Sequence, residues 1–149
     1  MTKKLVLTAW IVLVTLTLAA CGPTVTSTVL SPEDEAAYAA EVDGIVENLL
    51  ADWSACDHAM AIRDYAETWK AKVSTDDSSF QQECAEFIGK VGAYQSKTPD
   101  YVEDRPGLPA RVVIYNVVFQ NDAKVTLEVY FGTDDPTHRI IGVTFDDWK

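Results

Sequence analysis

Basic residues are scarce: 12 Lys and Arg stand against 23 Asp and Glu in 149 residues, giving a net charge of −11 and a pI near 4.4. A nucleic-acid binder needs a basic stripe to displace phosphate counterions, and no such run exists, so nucleic acid is excluded as a partner. Gly and Pro are also few, at 7 and 6, and with 48% hydrophobic residues the chain is neither fibrous nor disordered. The three cysteines include no Cys-x-x-Cys pair, and the two histidines, His58 and His138, do not stand at ligand spacing from them. Thiol redox chemistry and a zinc site therefore have no motif to rest on, and no metal or cofactor is expected. The length allows one modest domain.

The amino terminus is built differently from the rest. Lys3 and Lys4 precede an apolar stretch of 14 residues, Leu5 to Leu18, followed by small residues. That is the layout of a secretory signal peptide, and the stretch is shorter than the roughly 20 residues a spanning helix needs. Leu18, Ala19, Ala20 and Cys21 resemble the lipobox of bacterial lipoproteins, in which cleavage before the cysteine exposes it to a diacylglyceryl group. The resemblance implies residues 1–20 as signal peptide, Cys21 as lipid attachment site, 21–30 as a tether rich in Thr, Ser and Val, and 31–149 as the folded domain. Without Lys3 and Lys4 the chain keeps 10 basic and 23 acidic side chains, a net of −13, so attachment would rest on acyl chains rather than on charge. The implied setting is an exported protein on the outer membrane or a Gram-positive cell surface, since Gly22 stands where an inner-membrane retention signal has Asp.

Export places Cys56 and Cys84 in an oxidising compartment, and with Cys21 lipidated they form an even pair. Asp57, Glu83 and Glu86 raise neighbouring thiol pKa values and make poor nucleophiles, which favours a structural disulfide.

Within the domain, Ser31-Pro32-Glu33-Asp34 is a helix start, and Tyr38, Val42, Ile45, Leu49 and Trp53, widened by Val46 and Leu50, form one apolar stripe. Asp57 is positioned to cap a second helix through Met60, Ile62, Tyr65, Ala66 and Trp69. A third, capped at Asp77, Ser78 or Ser79, carries Phe80, Cys84, Phe87, Ile88 and Val91. Residues 98–109 contain three Pro and read as loop, with a short strand around Tyr101 and Val102. From Arg111 the period is two: 111–119, 124–131 and 139–145 read as strands. A two-residue Asn121-Asp122 turn pairs Val118 with Val125, Asn116 with Leu127, Ile114 with Val129 and Val112 with Phe131. A four-residue loop keeps that register and a three-residue loop breaks it. In this register the helix-facing side is apolar apart from Asn116, while Val113, Tyr115, Val117, Phe119 and Tyr130 form an apolar patch on the other side that needs a cover.

Helices first and antiparallel strands second make an α+β domain. The long first helix, Gly92-Ala93-Tyr94-Gln95-Ser96, Tyr115-Asn116-Val117-Val118-Phe119 and Ile140-Ile141-Gly142-Val143-Thr144 resemble the cystatin-like, nuclear transport factor 2-like domains over residues 33–145. The resemblance implies helices packed on a curved sheet around a pocket, where Asn116 and Trp53 are the candidate lining residues for a small apolar ligand. It also implies that Val113, Tyr115, Val117, Phe119 and Tyr130 are a candidate interface with a second copy or another envelope protein. Enzymes of that superfamily, ketosteroid isomerase-like and dehydratase-like, use a pocket Asp or His. Here the only nominees for proton transfer are His58 with Asp57, or Tyr115, and no catalytic residue is assigned. The expected role is a non-catalytic, membrane-anchored binding domain, with a pocket enzyme as the alternative.

Overall fold

Ser31 accepts a hydrogen bond from the Asp34 amide at 3.2 Å, Pro32 takes the first helical position, and helix α1 runs Pro32–Ser54. Glu33, Asp34 and Glu35 in its first turn meet the positive end of the helix dipole. The computed structural model describes residues 28–73, 77–121 and 123–146. Cys21, the signal segment 1–20 and the tail with Trp148 lie outside them. The elements that follow are α2 (His58–Ala61), α3 (Glu67–Val73), α4 (Asp77–Val91), β2 (Tyr94–Arg105), β3 (Ala110–Phe119), β4 (Lys124–Gly132) and β5 (Ile140–Asp146). A two-residue strand β1 (Thr28–Val29) precedes α1. The class is α+β, helices followed by an open antiparallel sheet in the order β1-β2-β3-β4-β5. Among the described residues no helix is long and apolar enough to cross a membrane.

Four expectations are corrected. The segment 21–30, read as tether, ends inside the fold: Thr28 and Val29 pair with Asp104 and Glu103, and Leu30 donates to the Val102 carbonyl. The second helix is broken in two, because Ala66 N–H donates to Ile140 O at 2.9 Å and Ile140 N–H to Asp64 O at 3.0 Å. Those backbone groups are committed to the start of β5 and cannot also close a helical turn. The segment read as loop is mostly strand, since β2 continues to Arg105. Pro99 is tolerated because its missing N–H falls on the side of β2 that β1 does not reach, beside an irregularity between Pro99 and Tyr101.

The fourth correction inverts the sheet. Phe119 N–H donates to Ala123 O at 3.0 Å, so the turn spans 120–122, and Val117 pairs with Val125, Tyr115 with Leu127 and Val113 with Val129. This is the three-residue loop that shifts the register by one. Its cause is tertiary: Gln120 N–H donates to Ala93 O, Asn121 N–H to Val91 O, and Asn121 Nδ2 to Lys90 O, so the turn is docked on the end of α4. Gly92, at φ +81°, makes the approach possible, because a Cβ there would lie 2.8 Å from that of Gln120.

Val113, Tyr115, Val117 and Phe119 accordingly join Val125, Leu127, Val129 and Phe131 in the core, packed under Tyr38, Val42, Val46, Leu49 and Leu50 of α1 and Phe87 and Val91 of α4. Lys97 of β2 anchors α1 from the same face, its ammonium 2.5 Å from Asp43 and 3.1 Å from Glu47. On the opposite face Arg105 donates to Glu103, to both oxygens of Glu128 and to the Tyr130 hydroxyl. Val112 and Ile114, whose pairing partners in the sheet are Glu103, Tyr130, Tyr101 and Glu128, are buried on this face. Burial works to raise the Glu128 pKa, but hydrogen bonds from Tyr130 and Arg105 overcome it and hold the carboxyl below its ordinary value of 4.5.

The register is tested by neighbours. Val117→Lys buries a charge in the core and should cost roughly 3 kcal/mol or more, whereas Asn116→Lys on the exposed face should stay within about 0.5 kcal/mol by urea denaturation. The reverse ranking would restore the two-residue turn. A depressed carboxylate pKa contributes stability present above 4.5 and lost as pH falls through the lower folded value. The stability difference between the native chain and Glu128→Gln should therefore shrink below pH 4.5, and a difference that grows on acidification would contradict the assignment.

Candidate functional site

Trp53 near the end of α1 is the first wall of a cleft of about 460 Å³. The chain then turns at Cys56, in left-handed conformation at φ +51°, and Asp57 caps α2 by accepting from the Met60 amide at 3.1 Å. This places His58, Ile62 and Tyr65 on the second wall. The break at residues 62–66 starts α3 afresh beside β5 and brings Trp69 to the cleft. Ser79, Phe80 and Glu83 come from the first turns of α4, and Gly142, Val143 and Phe145 from β5. Cys56 and Cys84 are disulfide-bonded, with Cα atoms 5.7 Å apart, so the wall carrying His58 is covalently tied to the helix carrying Phe80.

The cleft floor is a set of aromatic rings packed edge-to-face or tilted on one another. Trp53 packs on Phe80 with centroids 5.0 Å apart and on Phe145 at 5.1 Å, and Phe87 links Phe145 to Phe119 in the core. His58 stacks on Phe80 at 4.8 Å and turns Nδ1 to Asp77, 3.0 Å away. Its Nε2 is buried and has no hydrogen-bond partner among the described residues. Burial also pushes the Tyr65 hydroxyl pKa up, leaving it neutral across the physiological range. The lining is thus apolar and aromatic with an imidazole and one carboxylate, the usual make-up of a small-molecule site. Among the described residues no group of His, Cys, Asp and Glu is arranged to hold a metal ion.

Of the residues nominated from sequence, Trp53 lines this cleft and Asn116 does not. Asn116 is exposed on the other side of the sheet between Thr98 and Thr126, so the register shift separates the two. Val113, Tyr115, Val117 and Phe119 are buried under the helices and unavailable to a partner, while Tyr130 lies on the opposite face in the Arg105 network. Tyr115 keeps a buried hydroxyl in the core with no hydrogen-bond partner among the described residues. Asp57 serves α2 as its cap. His138, at φ +50°, belongs to a second cluster at the far end of α1: its Nε2 lies 2.9 Å from Glu41 and its Nδ1 3.4 Å from the Tyr38 hydroxyl. Arg111 stacks over the Tyr38 ring and grips Asp104 through two hydrogen bonds of 2.7 and 3.0 Å. Burial raises the Tyr38 pKa to about 12 against the opposing Arg111 charge. These polar groups satisfy one another, so the cluster is a closed structural joint.

Phe80, Trp69, Tyr65 and Phe145 were not foreseen as lining residues. Their apolar periodicity marks them only as buried, and their convergence depends on the Tyr65–Ile140 bridge and the disulfide. No protein-family model, no curated protein and no solved structure matches this chain.

Closing a 28-residue loop restricts the unfolded chain by about 3.6 kcal/mol on the chain-entropy estimate. The double variant Cys56→Ala, Cys84→Ala should melt roughly 10–15 °C lower. An unchanged melting temperature in differential scanning calorimetry would mean that the bridge does not constrain the domain.

Proposed function

We propose that this chain is an exported cell-envelope lipoprotein, held to the membrane through lipidated Cys21, whose folded domain is a non-catalytic module that binds a small apolar ligand. The lipobox-like Leu18-Ala19-Ala20-Cys21 supports the anchor, and the Cys56–Cys84 pair agrees with an oxidising compartment. The order of helices and antiparallel strands is compatible with a nuclear transport factor 2-like, cystatin-like domain. The observation that carries the binding role is the aromatic cleft itself, whose walls offer stacking surface on Trp53, Trp69, Phe80 and Phe145.

Two measurements test the parts separately. The neutral fluorophore N-phenyl-1-naphthylamine should bind the purified chain saturably and with 1:1 stoichiometry, and Ser79→Trp, which fills the cleft from an exposed position, should abolish the signal. Binding that survives Ser79→Trp would move the site elsewhere. Palmitate labelling of the expressed chain should vanish in Cys21→Ser together with its membrane association, and label that persists in this variant would refute the anchor.

A further inference from the structure

Building on the cleft as a ligand site, we propose that its ligand is a cationic amine with an apolar body, its ammonium seated against His58 and Glu83 and its hydrocarbon part against Trp53, Phe80 and Phe145. The polar atoms of the wall carry the argument. His58 is only 8% exposed, and its Nδ1 stands 3.0 Å from the Asp77 carboxylate. A carboxylate only accepts, so the neutral imidazole carries its proton on Nδ1 and keeps a lone pair on Nε2. That Nε2 is buried with no partner among the described residues, an unfavourable condition that an incoming N–H donor relieves. Glu83, the one carboxylate of the lining among the described residues, is a second acceptor, and no described Lys or Arg lines the cleft.

Five aromatic side chains, Trp53, Tyr65, Trp69, Phe80 and Phe145, also line the cleft, and π faces attract a cation through the ring quadrupole. Trp69 already illustrates this, with the Lys72 ammonium 4.2 Å from its ring centroid. Because Lys72 occupies that indole, the incoming charge goes to His58 and Glu83 instead. Acceptors and π faces together match a donor that is also positive. An anion would meet Glu83, Asp77 behind His58, and a chain with a net charge of −11.

Benzylamine, benzyl alcohol and benzoate share one ring and differ in charge, and each is titrated into the purified full chain at pH 7 and low ionic strength. Shifts of the Trp53 and Trp69 indole N–H resonances report occupancy. Benzylamine, protonated at this pH, should bind at least about fivefold more tightly than either of the others, and Glu83→Gln should remove about half of that preference or more. Benzyl alcohol binding as tightly as benzylamine would overturn the amine assignment while leaving an apolar ligand site in place. A preference untouched by Glu83→Gln would overturn the seat of the ammonium. Failure of all three probes to saturate would remove the cleft as a ligand site altogether.

Discussion

The close approach of the β3–β4 turn to Gly92 is the constraint on which the rest of the structure depends. Three hydrogen bonds tie Gln120 and Asn121 to the end of α4 and its following loop, and the space they need exists only because residue 92 lacks a Cβ. Docked there, the turn spans three residues, and the strand register follows from its length. With that register, eight apolar side chains of β3 and β4, from Val113 to Phe131, line up under α1 and α4 as a continuous floor. A slip of one position would set Asn116 in the core instead.

The same register creates a problem on the outer face and the sequence answers it locally. Val112 and Ile114 point away from the helices, yet both are almost fully buried. Arg105, Glu103, Glu128 and Tyr130 form a hydrogen-bonded network on this face, and Glu103 is itself buried. The guanidinium fork meets two carboxylates and a phenol, which satisfies the charges at the moment they are removed from water. Glu103 and Tyr130 flank Val112 in the sheet, and Tyr101 and Glu128 flank Ile114.

The candidate site depends on two ties between segments distant in sequence. Pairing of residues 64–66 with Ile140 interrupts what would be one helix, and the Cys56–Cys84 bridge holds the turn before His58 against α4. The cleft is the gap between the elements so tied. Aromatic side chains line that gap because they were part of the apolar stripes of α1, α3, α4 and β5 already. A tilted contact from Phe145 to Phe87 and an edge-to-face one from Phe87 to Phe119 join the cleft to the core.

What the sequence by itself determined were the local features: the Ser31-Pro32 start of α1, its apolar stripe, the Asp57 cap, the extent of α4, the period-two runs of β3 to β5, and the α+β class. Each depends on residues within a few positions of one another, so periodicity and capping chemistry suffice to read them. The tertiary structure alone decided which sheet face became the core, that residues 98–105 became strand, that the second helix broke at Tyr65, and that Trp53 met Phe80 and Phe145 rather than Asn116. The physical reason is common to all four. A turn or helix break is chosen by where its backbone N–H and C=O groups find partners, and here those partners lie across the fold, on α4, β3 and β5. Local preference for Asn-Asp as a two-residue turn is worth less than the bonds gained by docking it.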